Sequence, residues 1–149
     1  MRLTSFSDYA LRILIFAATK PDDLVTIAEI SKSYGISRNH LMKVTSSLAT
    51  AGYVETLRGS GGGMRLARPA SEINIGAVVR HTESGSNLVE CANLKTNTCV
   101  IAPACELKHV LFEALEAFYQ HLDKKTLADL VRRPKDLLAL LSKGEETEI

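Results

Sequence analysis

The sequence predicts a mainly α fold with one small β-hairpin: a winged helix-turn-helix unit followed by a long dimerisation helix. Three observations predict it. Thr26 and Glu29 have the spacing of a capping box, opening a short helix that Gly35 ends, and a further helix restarts at Ser37. The hydrophobic period then turns strand-like on either side of a Gly-Ser-Gly-Gly-Gly run at 59–63. Residues 107–122 carry the widest apolar helical stripe in the chain.

The elements follow in order. Ser7 precedes Ala10, Leu11, Leu14, Ile15 and Ala18, which recur at helical spacing, so Ser7 is expected to cap a first helix that Pro21 ends. Val25 and Ile30 stand where a hydrophobic staple would close over the Thr26 cap. Ile27, Ile30 and Tyr34 form the inner face of the second helix. The third helix, with Ser37 as its cap, carries Leu41, Val44, Leu48 and Ala51 on one face, and Gly52 terminates it. Strand formers at 53–58 and 64–67 flank the glycine turn, and Pro69 leaves the hairpin. Asn74 is a cap for a helix holding Ile75, Val78 and Val79. This winged unit is expected to occupy residues 1–80, a cysteine-bearing loop 81–105, and the dimerisation helix with short C-terminal helices 106–149. In the last part Leu107, Val110, Leu111, Ala114, Leu115, Phe118 and Leu122 form the stripe. Thr126 caps a short helix that Pro134 is expected to stop, a final helix spans 135–141, and 142–149 reads as a frayed polar tail.

With 149 residues, 46% hydrophobic and 23% charged, the chain has the size of one ordinary domain with a small appendage, which excludes a large multidomain enzyme. The net charge of +1 says nothing about partners, but its distribution does. Residues 1–68 hold nine Lys/Arg against five Asp/Glu, and residues 69–149 hold nine against twelve. A basic first half suits a polyanion. The apolar stretch 11–18 is broken by Arg12 and is not a secretory signal, and no run approaches the ~18 apolar residues of a membrane span. A cytoplasmic location and no membrane partner are therefore expected, and paired structural disulfides are not.

A helix-turn-helix with a wing is a double-stranded DNA reader. Burying Leu41, Val44 and Leu48 leaves Ser37, Arg38, Asn39, His40 and Lys43 at the outward N-terminal end of the third helix, able to meet base edges and phosphates. Gly61 and Gly62 let the wing backbone approach a phosphate or the minor groove, and Arg58 and Arg65 flank its tip with charge. Any one helix alone reads better as ordinary packing; the ordered set favours DNA. The stripe at 107–122 has little left to pack on once the winged unit is formed. A two-fold homodimer covers it and matches an inverted-repeat operator; the plain alternative is packing onto its own winged unit.

Cys91, Cys99 and Cys105 follow a C-x7-C-x5-C spacing within a polar loop that includes Asn93, Lys95, Thr96, Asn97 and Thr98. Such surroundings argue against cysteines acting as small core residues. A redox pair with a spare thiol, a zinc site completed by His109 or His121, and an iron–sulfur cluster all remain open from the residues alone. No C-x2-C knuckle supports zinc. A cubane cluster on three cysteines leaves one iron for a weaker ligand.

Several stretches together resemble a known group: Met1 to Thr4 with Asp8 to Arg12, residues 37–44, residues 51–55 leading to Arg58 and the glycine run, and three cysteines before a long helix. They are similar to the dimeric winged-helix repressors that include the IscR and NsrR families, over residues 1 to about 134. The likeness is to the NsrR family, the nitric-oxide-sensitive repressors. It implies an iron–sulfur cluster on Cys91, Cys99 and Cys105, with Asp8 of the partner subunit as fourth ligand, and a 4Fe-4S cluster is favoured over a 2Fe-2S one. Without the family, Asp8 reads as a first-turn carboxylate complementing the helix dipole. IscR proteins carry a ligating histidine three residues after the last cysteine; here that residue is Lys108, an ammonium with no lone pair to give. RirA-type iron regulators have Asn where Asp8 stands. The seven-residue first gap is longer than in some NsrR proteins. The resemblance implies a transcriptional repressor whose cluster sets the angle between two recognition helices and whose signal is nitric oxide. The alternatives are an iron- or redox-responsive regulator of the same fold and a zinc or thiol sensor. No nucleophile elbow, phosphate loop or H-E-x-x-H motif is present, so an enzyme is not expected.

Overall fold

The computed structural model of the protein describes residues 2–144. Its elements are α1 (Ser5–Thr19), α2 (Ile27–Tyr34), α3 (Arg38–Thr50), β1 (Val54–Leu57), β2 (Gly63–Leu66), α4 (Ile75–Thr82), α5 (Glu106–Asp123), α6 (Leu127–Leu130) and α7 (Pro134–Lys143). Short 3-10 turns lie at Ala70–Glu72, Glu90–Ala92 and Ala102–Ala104. This is the mainly α fold with one hairpin that the sequence predicts.

The core is built around α1, which packs against α3, α4, β2, α6 and α7. Ile13, Leu14 and Phe16 of α1 meet Ile30, Leu41, Val44, Leu48, Met64 and Val78, all essentially buried. The second helix starts as its residues dictate. The Thr26 hydroxyl accepts from Glu29 N–H (3.1 Å), and the Glu29 carboxylate accepts from Thr26 N–H (2.7 Å). Gly35 then ends it in the left-handed region at φ 65°. Both residues of the expected staple, Val25 and Ile30, are buried. Replacing Thr26 by alanine strands the Glu29 N–H and should cost about 1 kcal/mol of stability, read as a lower urea midpoint at unchanged slope.

β1 and β2 pair antiparallel in the register Val54↔Leu66, Glu55↔Arg65, Thr56↔Met64 and Leu57↔Gly63. Val25 adds a bridge to Met64 through two backbone hydrogen bonds of 2.8 and 2.7 Å, anchoring the wing to the start of α2. A side chain at Gly63 would stand 2.8 Å from Val25 O, so this approach requires glycine. Asn74 caps α4 through a 2.9 Å bond from Ala77 N–H.

Three expectations are corrected. Ser7 is not the cap of α1: Thr4 is, and Ser7 lies inside the helix, buried, with its own N–H bonded to the Thr4 hydroxyl at 3.2 Å. Pro134 does not stop a helix. It begins α7, where the missing N–H costs nothing. The start of the polar tail is not frayed, because Ser142 and Lys143 are the last residues of α7; residues 145–149 lie outside the described residues. The C-terminal elements also return to the winged unit. Leu127 is fully buried and donates its N–H to Ile73 O at 2.8 Å, while α7 packs on α1 and α2. Among the described residues no helix is long and apolar enough to cross a membrane.

Candidate metal centre and nucleic-acid interface

The loop after α4 is held by side chains bonding their own backbone. Asn97 Oδ1 accepts from Cys99 N–H (3.0 Å) and Asn93 Oδ1 from Lys95 N–H (3.0 Å). Glu90 clasps the first gap: its Oε1 accepts from the N–H and the hydroxyl of Thr98, at 2.5 and 2.6 Å. These bonds hold its carboxyl below the usual carboxylate range. The residues joined are the immediate neighbours of Cys91 and Cys99, so one clasp brings two distant thiols together. Cys105 arrives from the other side as the N-cap residue of α5, where the partial positive charge of the helix end complements an anionic group.

All three cysteines are free thiols and line one cavity of about 210 Å³. Val89, Ile101, Leu107 and Leu111 form its apolar wall. Glu90 and Lys108 also border it, and both are engaged: Glu90 with Thr98, and Lys108 through a 2.8 Å bond from Nζ to Ala102 O. The donor set facing the cavity is therefore three soft sulfurs, which suits iron–sulfur ligation with one position supplied from outside. Among the described residues no three His, Cys, Asp or Glu side chains stand close enough together to hold a metal ion as they are. Asp8 lies in the first turn of α1, about half exposed, paired with Arg12 at 3.0 Å. It does not border the cavity of its own chain.

The second surface is α3 with the wing. Ser37, Arg38, Asn39, His40 and Lys43 are all exposed, as the burial of Leu41, Val44 and Leu48 requires. Ser37 caps by backbone position only; its hydroxyl makes no cap bond. His40 stacks on Tyr9 of α1, with ring centroids 6.2 Å apart. At the wing tip Gly61 has φ 75°, and a side chain at Gly62 would stand 2.3 Å from Leu57 O, so the turn admits only glycine there. Arg58 is exposed, whereas Arg65 is ion-paired with its cross-strand partner Glu55 and presents no free charge.

Two features escaped sequence reasoning. Met42 is exposed on α3 between Asn39 and Lys43, an apolar tip suited to a thymine methyl; its place off the Leu41–Val44–Leu48 face was the signal. Glu83 accepts from Thr4 N–H and the Thr4 hydroxyl, both at 2.8 Å, and from the Ser7 hydroxyl. Burial pushes this carboxyl up, but the bonds from Ser7 and Thr4 outweigh it and hold it below its ordinary value. No local pattern marks that pairing.

Along α5 no residue is fully buried. Phe118, Tyr119 and Leu122 lean on the chain's own core, so the plain packing alternative holds for that end of the stripe. Leu107 and Val110 stay 62% and 59% exposed, with Ala114 and Ala117 exposed beyond them.

The chain is similar to known proteins over nearly its whole length. The family model described as "Rrf2: Iron-dependent Transcriptional regulator" matches residues 3–133. The HTH-type transcriptional regulator NsrR of Bacillus subtilis is 53% identical over 97% of this chain and all of its own length. Among solved structures, the oxidised form of Staphylococcus aureus CymR superposes with a TM-score of 0.69 at 24% identity, covering 87% of this chain and 95% of that one. T. potens IscR gives 0.69 at 23% identity, covering 89% and 87%. At such identities the two structures establish the winged-helix fold alone.

Proposed function

Because this chain belongs to the Rrf2 family of transcriptional regulators, we propose that it is a homodimeric repressor that senses nitric oxide through an iron–sulfur cluster. The observation that carries the reading is the single cavity shared by Cys91, Cys99 and Cys105, in a chain similar to NsrR from end to end. These three thiolates would hold the cluster, with Asp8 of the partner subunit as fourth ligand, and a 4Fe-4S cluster is favoured over 2Fe-2S. When bound, such a group supplies thiolate-held iron that reacts with nitric oxide. The chain's own part is mechanical. Asp8 in the shared site ties α1 of one protomer to the cysteine loop of its partner. An Asp8 released from it has Arg12, four residues on, to pair with. The link biases the spacing of the two α3 helices, and differential affinity for DNA follows only from such a bias.

On DNA, Arg38, Asn39, His40 and Lys43 would enter successive major grooves of an inverted repeat, with Ser37, Arg58, Gly61 and Gly62 against phosphates. Arg65 would reach a phosphate only by leaving Glu55. The protein would work in the cytoplasm. Binding should weaken steeply with salt. Arg58→Ala should lower the slope of log K against log salt by about 0.9 per lost phosphate contact, roughly 2 for the dimer. An unchanged slope places Arg58 off the DNA.

The decisive experiment is purification without oxygen, followed by visible absorption, acid-labile sulfide and DNA binding before and after nitric oxide. A coloured, sulfide-bearing protein that releases DNA on exposure is expected. Colourless, sulfide-free protein that binds DNA equally well with and without nitric oxide overturns the reading and leaves a zinc or thiol sensor.

A further inference from the structure

Four consecutive residues at the end of α4 and its cap bond three other helices, α5, α3 and α1. Arg80 pairs with Asp123 at the end of α5, at 2.5 and 2.8 Å, and lies 4.5 Å over the Tyr119 ring. His81 shares a 2.9 Å hydrogen bond with Ser47 of α3 and meets the Tyr53 ring edge-on at 6.2 Å, at the foot of the hairpin. The Thr82 hydroxyl lies 2.7 Å from the Ser7 hydroxyl of α1, within hydrogen-bond distance. Glu83 takes Thr4 and Ser7, the cap and first turn of α1.

The turn is also tightly seated. Val78 and Val79, just before it, are buried, and so is Ser7 opposite. One turn back, a side chain at Gly76 would stand 2.0 Å from Asp123 Oδ1, so α4 and α5 meet with no room between them. Packed elements joined by short polar contacts move together, because separating them leaves buried donors and acceptors without partners. The first turn of α1 carries Asp8, α3 reads DNA and α5 bears the exposed apolar face, yet α4 belongs to none of these surfaces.

We infer that residues 80–83 form the junction that couples the N-terminal turn of α1 to the recognition helix α3 and to α5, with His81 and Glu83 as its positioning residues. The bonding pattern stands on its own; that the junction transmits a cluster-dependent signal rests on the proposed function. Glu83 fixes where α1 begins, and His81 fixes where α3 lies against α4. A shift of the first turn of α1 therefore reaches α3 through two side chains two residues apart, His81 and Glu83.

The test uses the full chain in two readouts. In the first, amide hydrogen exchange of cluster-free protein is followed in Glu83→Ala, Glu83→Gln and His81→Ala. Glu83→Ala should raise exchange about tenfold or more across 45–50 of α3, not only across 4–8 of α1. Glu83→Gln, which keeps an acceptor for Thr4, should restore most of the protection. In the second readout, a duplex selected from a random pool by the unaltered protein serves as probe. The ratio of its affinity with and without cluster should fall at least about fivefold toward one in His81→Ala, while the visible spectrum is unchanged. Ser47→Ala removes a single hydroxyl and gives the same readings should His81→Ala fail to fold. Unchanged exchange in α3 overturns the junction. So does altered exchange with an unaltered affinity ratio, which would make the turn a brace rather than a coupler. A ratio of one in the unaltered protein defeats the sensing reading instead, and exchange in α3 then decides the junction alone.

Discussion

A Cys99→Ser protein should fold normally, purify colourless under anaerobic conditions, and bind operator DNA no better than cluster-free wild type, with no response to nitric oxide. The argument rests on where Cys99 stands. Its side chain is exposed, and its local bonds are made by the backbone: its N–H to Asn97 and its C=O to Ala102 N–H at 3.2 Å. Serine preserves both, so stability should stay within about 0.5 kcal/mol, as for surface substitutions generally. What changes is chemistry. A serine hydroxyl is harder than a thiolate and far harder to deprotonate, a poor exchange at an iron–sulfur site. Cys91→Ser and Cys105→Ser should behave alike, because the three thiols share one cavity and the sequence holds no fourth cysteine. A Cys99→Ser protein that remains coloured and releases DNA on nitric oxide would sink the three-cysteine reading.

How much of this was legible in the sequence follows from the range of the interactions. Elements set by neighbours in the chain were readable: the Thr26–Glu29 box, the Asn74 cap, the Gly35 and Gly52 terminators, and the hairpin around its glycines. The outward set on α3 was readable for the same reason, since a buried face dictates its opposite. Interactions spanning dozens of residues were not. Ser7 has a good capping side chain, but Glu83, 76 positions away, takes its hydroxyl, and the cap falls to Thr4. The pairing of Arg80 with Asp123, 43 positions apart, leaves no periodic trace either, and neither does the eight-residue clasp of Glu90 on Thr98 inside an irregular loop. Periodicity found the stripe on α5 but could not apportion it, because both ends look alike until α4 is known to cover one of them.

That division of α5 yields the second large effect. Val110→Asp should convert the proposed dimer to monomer at micromolar concentration, measured by sedimentation, without unfolding the winged unit. Val110 is 59% exposed within one chain, so the substitution costs the protomer little. Across a two-fold axis each residue meets its own surroundings again, and one change buries two like charges. Losing the dimer removes simultaneous engagement of two half-sites, worth about 10²–10⁴ in affinity. Phe118→Asp makes the control, because Phe118 leans on the chain's own core and its loss should lower the melting temperature instead. The contrast tests the apportioning of the helix and not merely its importance. Were Val110→Asp to stay dimeric while Phe118→Asp fell apart into folded monomers, the two ends of α5 would have exchanged roles, and the exposed Leu107 and Val110 would need another partner.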